Sequence, residues 1–171
     1  MNEVSIIGLD LAKNVFQAHG ARADGSVVFR RKLSRAQLLT FLSHHQPCVV
    51  AMEACASAHH WGRAIGDLGH EIRLISPAYV KPFVKRQKND MADAEAIAEA
   101  ASRPAMRFMA IKGAETQGRA VACRTHQCLV RQRTQLINAL RGHLAKFGIV
   151  APKGPANFKG LEEDLSDETS D

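Results

Sequence analysis

Short apolar runs and polar breaks alternate from the start of the chain. Val4 to Asp10 is an apolar, β-branched run closed by a carboxylate, the pattern of a strand buried on both faces. Val15 to Ala21 and Ser26 to Leu33 read as two further strands, and Arg22-Ala23-Asp24-Gly25 between them carries an Asp-Gly hairpin signal. The three predict an antiparallel meander. Ser34 is placed to cap a helix running to about His45 and stopped at Gln46-Pro47. Cys48 to Glu53 is then a second buried strand ending in an acid. Ser57 is placed to cap a helix over Ala58 to Leu68 that closes at Gly69, and Glu71 to Ile75 is a strand stopped by Ser76-Pro77. Strand, helix, strand predicts a parallel, right-handed unit.

Residues 77–88 mix apolar Tyr79, Val80, Phe83 and Val84 with four cations and no acid, which suits either a solvated basic face or a phosphate-contacting segment. An Ala-rich helix is predicted from Asp90 to about Ala101, ending near Arg103-Pro104, and Met106 to Ile111 reads as a short extended piece. From Ala114 to Phe147 the pattern is one long helix. Val130, Ile137 and Leu144 recur every seven residues beside Leu129, Leu136, Leu140 and Phe147, an apolar seam suited to packing against another helix, including that of a second copy. Gly148 to Gly160 has the composition of a linker, and Leu161 to Asp171 that of a disordered acidic tail. The expected organisation is an α/β domain over 1–112, a long basic helix over 113–147, and linker and tail over 148–171.

Charge sharpens this picture. The 171 residues carry 23 Lys or Arg and 17 Asp or Glu, a net +6. Six of those acids fall in Leu161 to Asp171, so the first 160 residues hold 23 basic against 11 acidic side chains, a balance of +12. Such a body points to a polyanion, and DNA is the expected partner. The candidate contacts are Lys13, Lys81, Lys85, Arg86 and Lys88, with Arg119, Arg124, Arg131, Arg133 and Arg141 on the long helix, whose polar side has only Glu115 as an acid. For Lys13 and the 81–88 run, ordinary surface charge accounts for the residues equally well. The four cysteines form no Cys-x-x-Cys pair, and the spacing of Cys123, His126 and Cys128 does not put three ligands on one helix face, so reduced thiols are expected rather than zinc. No apolar run approaches the ~20 residues of a membrane span, and no signal segment opens the chain, so a cytoplasmic location with no membrane partner is expected.

Four acids stand out by position. Asp90 and Asp93 sit three residues apart, which on a helix sets their Cβ atoms about 5–6 Å apart on one face. Taken alone, an N-cap and a first-turn acid explain the pair. Asp10 and Glu53, each at the carboxyl end of a predicted strand, change that account, because functional groups in α/β sheets gather at those ends. Four carboxylates from separate elements repel one another unless they hold hard cations through oxygen. Mg²⁺ is the expected ion, with Mn²⁺ as an alternative. Two such ions about 3.5–4 Å apart stabilise the attacking and leaving oxygens of a phosphodiester displacement.

Four runs carry a resemblance: Ile7-Gly-Leu-Asp-Leu-Ala-Lys13, Met52-Glu-Ala-Cys55, Ser76-Pro77 followed by Val80-Lys81, and Lys88-Asn-Asp-Met-Ala-Asp-Ala94. Arg131-x-Arg133-Thr134 and Asn138-x-Leu140 add to them. Together, over about Val4 to Gly148, they closely resemble the amino-terminal domain of the DEDD transposases of bacterial insertion sequences. The resemblance implies an RNase H-like (RuvC-like) mixed sheet with flanking helices. It also implies Asp10, Glu53, Asp90 and Asp93 as catalytic metal ligands, and a structured guide RNA, since members include bridge-RNA-guided recombinases. Family members continue into a second domain bearing a nucleophilic serine. No run here matches that motif, and Ser166 and Ser170 lie in the acidic tail with no base nearby in sequence. The expectation is therefore a transposase catalytic domain that is incomplete without that serine domain, through truncation, decay or supply from elsewhere.

Two rivals remain. One is a non-catalytic, dimeric nucleic-acid-binding remnant of a transposase. The other is an actin-like ATPase or sugar kinase, which also begins with a strand ending in Gly-x-Asp but for which a second glycine-rich phosphate loop is missing.

Overall fold

The computed structural model describes residues 4–84, 90–150 and 154, with the side chain of Asp90 outside that set. Five strands form one mixed sheet: β1 (Ile6–Leu11), β2 (Val15–Ala21), β3 (Val27–Ser34), β4 (Val49–Glu53) and β5 (Glu71–Ile75), in the order β3-β2-β1-β4-β5. β1, β2 and β3 are joined antiparallel, whereas β4 and β5 run parallel to β1. The predicted meander and parallel unit are both present, and the class is mixed α/β. Asp24-Gly25 makes the hairpin turn. Gly25 takes φ +84°, and the Ser26 N–H donates to Asp24 Oδ1 at 2.8 Å.

Helices α1 (Arg35–Ser43) and α2 (Ala58–Gly66) cover one face, and α4 (Asp90–Ser102) covers the other; α3 (Pro77–Val80) and a 3-10 turn at Lys81–Phe83 pack beside α4. Strand alternation sorts the side chains. Ile7, Leu9, Phe16, Val50, Met52 and Leu74 meet Leu38 and Leu42 of α1 and Trp61 and Ile65 of α2. Ile6, Ala51 and Ile75 meet Ala96, Ile97, Ala100 and Ala101 of α4. Buried His70 ties the first face together, since its Nδ1 accepts the Cys48 N–H at 3.3 Å and its Nε2 therefore donates to the Leu42 carbonyl at 3.2 Å.

Two local expectations change. Ser57 sits at the head of α2 with helical φ −96° and ψ −8° and no side-chain cap bond, so it does not cap that helix. Its Oγ lies 3.6 Å from Cys55 Sγ instead. Ser34, by contrast, is the N-cap of α1 as predicted, with extended backbone and a capping box in which its N–H donates to Gln37 Oε1 at 3.0 Å. Of the extended piece at 106–111, one antiparallel bridge forms, between Met109 and Leu74.

The chain divides into two compact units, Met1–Ala114 and Glu115–Asp171. The second contains nearly all of α5 (Ala114–Ala145), 32 residues with none buried and with Val121, Leu129, Val130, Leu136 and Leu140 exposed. The linker and tail expected beyond residue 150 lie outside the described residues, Gly154 excepted. Among the described residues no helix is long and apolar enough to cross a membrane.

Candidate active site

The register of β1 and β4 places the first two carboxylates. Gly8 pairs with Ala51 and Leu9 with Met52, so Asp10 and Glu53 stand side by side, one residue beyond the last pair. Both point to the α4 face by alternation. The exits of these strands are fastened. Just after Glu53, the Ala54 N–H donates to the Ile75 carbonyl at 2.8 Å. After Asp10, the β1–β2 turn is held by Arg35, whose Nη1 donates to the Lys13 carbonyl at 3.2 Å while its guanidinium lies over Phe16 and Trp61, 5.4 and 5.2 Å from the ring centroids.

Close approach of α4 supplies the next acid. A Cβ built on Gly8 would lie 2.7 Å from the Ala98 nitrogen and 2.9 Å from its Cβ, and would also meet the Ala94 carbonyl. Only glycine lets the helix lie this near the strand. α4 runs antiparallel to β1: its end, at Glu99 and Ser102, lines a cavity with Ser5 and Ile6, and its beginning lies at the carboxylate end. Asp93, one residue before Ala94, is half-buried there. Burial first, and then the negative charge of Asp93, hold the Glu53 carboxyl above its ordinary range. The structure thus brings Asp93 and Glu53 into electrostatic contact, with Asp10 beside Glu53 in register. Among the described residues no three His, Cys, Asp or Glu side chains close up into a metal-holding group. Asp90 opens α4, and its side chain lies outside the description.

The cations expected to contact nucleic acid are placed unevenly. Lys13 is exposed in the β1–β2 turn and Lys81 on the 3-10 turn, while Lys85, Arg86 and Lys88 lie outside the described residues. Arg124, Arg131 and Arg133 are exposed along α5, Arg141 is half-exposed, and Arg119 pairs with Glu115 at 2.6 Å. The sequence reading passed over Gln17 and Lys32. Gln17 pairs with Asp10 and is buried beneath α4, and Lys32 pairs with Gln17 one strand further out. The register of the β1–β2 hairpin was a signal for Gln17, whereas the register shift between Gly20 and Ala21 concealed Lys32. A cavity of about 580 Å³ opens at the far end of α4, among Arg22, Arg73, Glu99 and Arg103, away from these acids.

A family model described as a transposase, the DEDD type of IS110 elements, matches residues 7–149. The chain belongs to the IS110-type DEDD transposase family. A putative transposase of Sinorhizobium fredii is 44% identical over 170 residues, which is 99% of this chain and 44% of that protein. A probable family 20 transposase of Pseudomonas aeruginosa is 53% identical over 150 residues, 88% of this chain and 44% of that protein. The IS1328 transposase of Yersinia enterocolitica is 45% identical over 161 residues, 94% of this chain and 48% of that protein. This DEDD transposase chain therefore spans less than half the length of these curated relatives. Among solved structures, Thermus thermophilus RuvC aligns with a TM-score of 0.47 at 14% identity, covering 61% of this chain and 99% of RuvC.

Proposed function

We propose that the sheet domain performs divalent-metal-dependent phosphodiester chemistry on DNA in insertion-sequence transposition, with Asp10, Glu53, Asp90 and Asp93 as metal ligands. The observation that carries the reading is the pair Glu53 and Asp93. Two carboxylates from a strand end and a helix start come together in one partly buried place, where burial and then the charge of Asp93 raise the cost of charge on Glu53. A cation between them removes that cost. The donor set fits a hard ion, because every candidate group is a carboxylate oxygen, and Mg²⁺ or Mn²⁺ accepts that set.

When bound, a pair of such ions stabilises charge on the attacking and leaving oxygens. The chain's own residues do the rest. Asp10 and Glu53 present their oxygens from adjacent strands whose spacing the backbone ladder fixes. Gly8 lets α4 press against β1 and so sets the depth of Asp93. Lys13, in the turn that Arg35 holds, offers a cation for a flanking phosphate. In the second unit, we assign the basic side of α5 to nucleic acid, including a structured guide RNA, and its apolar seam to a second copy.

A nicking assay on branched DNA, with and without Mg²⁺, tests the reading. Mg²⁺-dependent nicking that Asp10→Asn abolishes is expected. Binding with strong salt dependence but no nicking under any condition would instead favour a non-catalytic binding module.

A further inference from the structure

We propose that Lys32, on the edge strand β3, is a positioning residue of this same site and holds a DNA phosphate a few nucleotides from the one at the carboxylates. The inference rests on the reading above that the carboxylate end receives DNA. It comes from a row across the sheet. Asp10 pairs with Gln17, and Gln17 pairs with Lys32, so with Glu53 beside Asp10 the sequence Glu53, Asp10, Gln17, Lys32 crosses four strands on the α4 face. Strands lie about 4.8 Å apart, which puts the Lys32 backbone about 10 Å from that of Asp10, a span of roughly three nucleotides at ~3.4 Å each.

Pairing along β3 separates Lys32 from its neighbours. Arg30, two residues earlier on the same face, is engaged by Glu95 of α4 at 2.8 Å. At about 3.3 Å per strand residue and 1.5 Å per helix residue, Lys32 stands level with the first turn of α4, near exposed Met91. Lys32 is itself exposed and makes no hydrogen bond or ion pair among the described residues. An ammonium on a four-carbon stem that is unpaired among the described residues, on the face where Asp10 and Glu53 stand, suits a phosphate drawn to that end of the sheet. Arg31 points to the opposite face with Phe29 and Leu33.

Edge strands also carry lysines simply to block sheet-to-sheet pairing. That role would be shared by Arg31 and Lys32, whereas of these two only Lys32 lies on the face of the carboxylates. The test is fluorescence anisotropy of a fluorescein-labelled four-way DNA junction with the full chain in Ca²⁺, over a range of salt. Lys32→Gln is expected to weaken binding roughly fivefold to tenfold near 0.1 M salt and to lower the salt slope by about 1, with an unchanged melting temperature. Lys32→Arg should restore both values, and Arg31→Gln should match the parent chain. Lys32→Gln binding like the parent, or Arg31→Gln losing as much, overturns this proposal while leaving the carboxylate assignment intact. A parent chain that fails to bind the junction at any salt overturns both.

Discussion

The two faces of the central sheet are built from different materials. Against α1 and α2 the packing residues are large: Ile7, Leu9, Phe16, Leu38, Leu42, Met52, Trp61, Ile65 and Leu74. Against α4 they are mostly small, with Gly8 and Ala51 in the sheet meeting Ala94, Ala96, Ala98, Ala100 and Ala101 in the helix. Large side chains remove more apolar area from water, at roughly 25 cal/mol per Å², so the first face contributes most of the hydrophobic stabilisation. Small ones bring backbones together and leave little freedom in how the helix sits. The first face keeps the domain folded, and the second sets where Asp93 stands relative to Asp10 and Glu53.

Substitutions that separate stability from site geometry test this contrast. Gly8→Val should have the largest effect. Its new atoms collide with the α4 backbone, so the helix must move, and overpacking of this kind costs about 1–3 kcal/mol or more. Metal-dependent nicking should vanish even in molecules that remain folded. Leu38→Ala removes a fully buried side chain from the other face and should cost about 2–5 kcal/mol in denaturant unfolding. Nicking per folded molecule should stay near the parent value, and its loss would show that the faces are not separable.

Cysteine reactivity reads the first face directly. Burial pushes the Cys48 thiol up to about 11, whereas Cys55, Cys123 and Cys128 are exposed. Three thiols should therefore react promptly with a disulfide reagent at neutral pH, and the fourth only on unfolding. In Gly8→Val, Cys48 that stays protected while nicking is lost would place the damage on the α4 face alone.

The smallest effect concerns the connection leaving the domain. His59 Nδ1 accepts the Lys112 N–H at 3.2 Å, and Arg63 Nη1 donates to the Lys112 carbonyl at 2.5 Å. Desolvation, then Lys112, then Arg63 hold the His59 ring below its ordinary 6.5. The neutral ring is the one that accepts, so its contribution is complete above pH 6.5 and fades as pH falls below it. Protection of the Lys112 amide, taken relative to its intrinsic exchange rate at each pH, should fall over that range, and in His59→Phe, which cannot accept, it should be low at every pH.

Much of the fold was legible because its signals are local. Apolar runs closing on Asp10 and Glu53 marked the strands and their ends, and Asp24-Gly25 marked the hairpin. The Ala-rich stretch after Asp90 marked a helix. What was not legible depends on contacts distant in sequence. Gly8 looks like any strand glycine until α4 lies on it. Ser57 has the right chemistry for a cap, yet its backbone is already helical and its hydroxyl faces Cys55. Lys32 is the clearest case. The register of β2 and β3 shifts between Gly20 and Ala21. Counting outward from the turn without that bulge sets Arg31, not Lys32, opposite Gln17, and a slip of one residue exchanges the two faces. The four acids stand out in the sequence by position and resemblance; the approach of Glu53 to Asp93 needed the tertiary structure.

The central claim, that this end of the sheet holds a divalent ion through its carboxylates, is tested most directly by titrating Mn²⁺ into the full chain and into Asp93→Asn, following free Mn²⁺ by electron paramagnetic resonance. The parent chain should bind Mn²⁺ in competition with Mg²⁺, and Asp93→Asn should bind at least about 10-fold more weakly while melting at the same temperature or higher, because the repulsion on Glu53 is gone. Equal Mn²⁺ affinity in the two proteins, or none in the parent, would contradict the account.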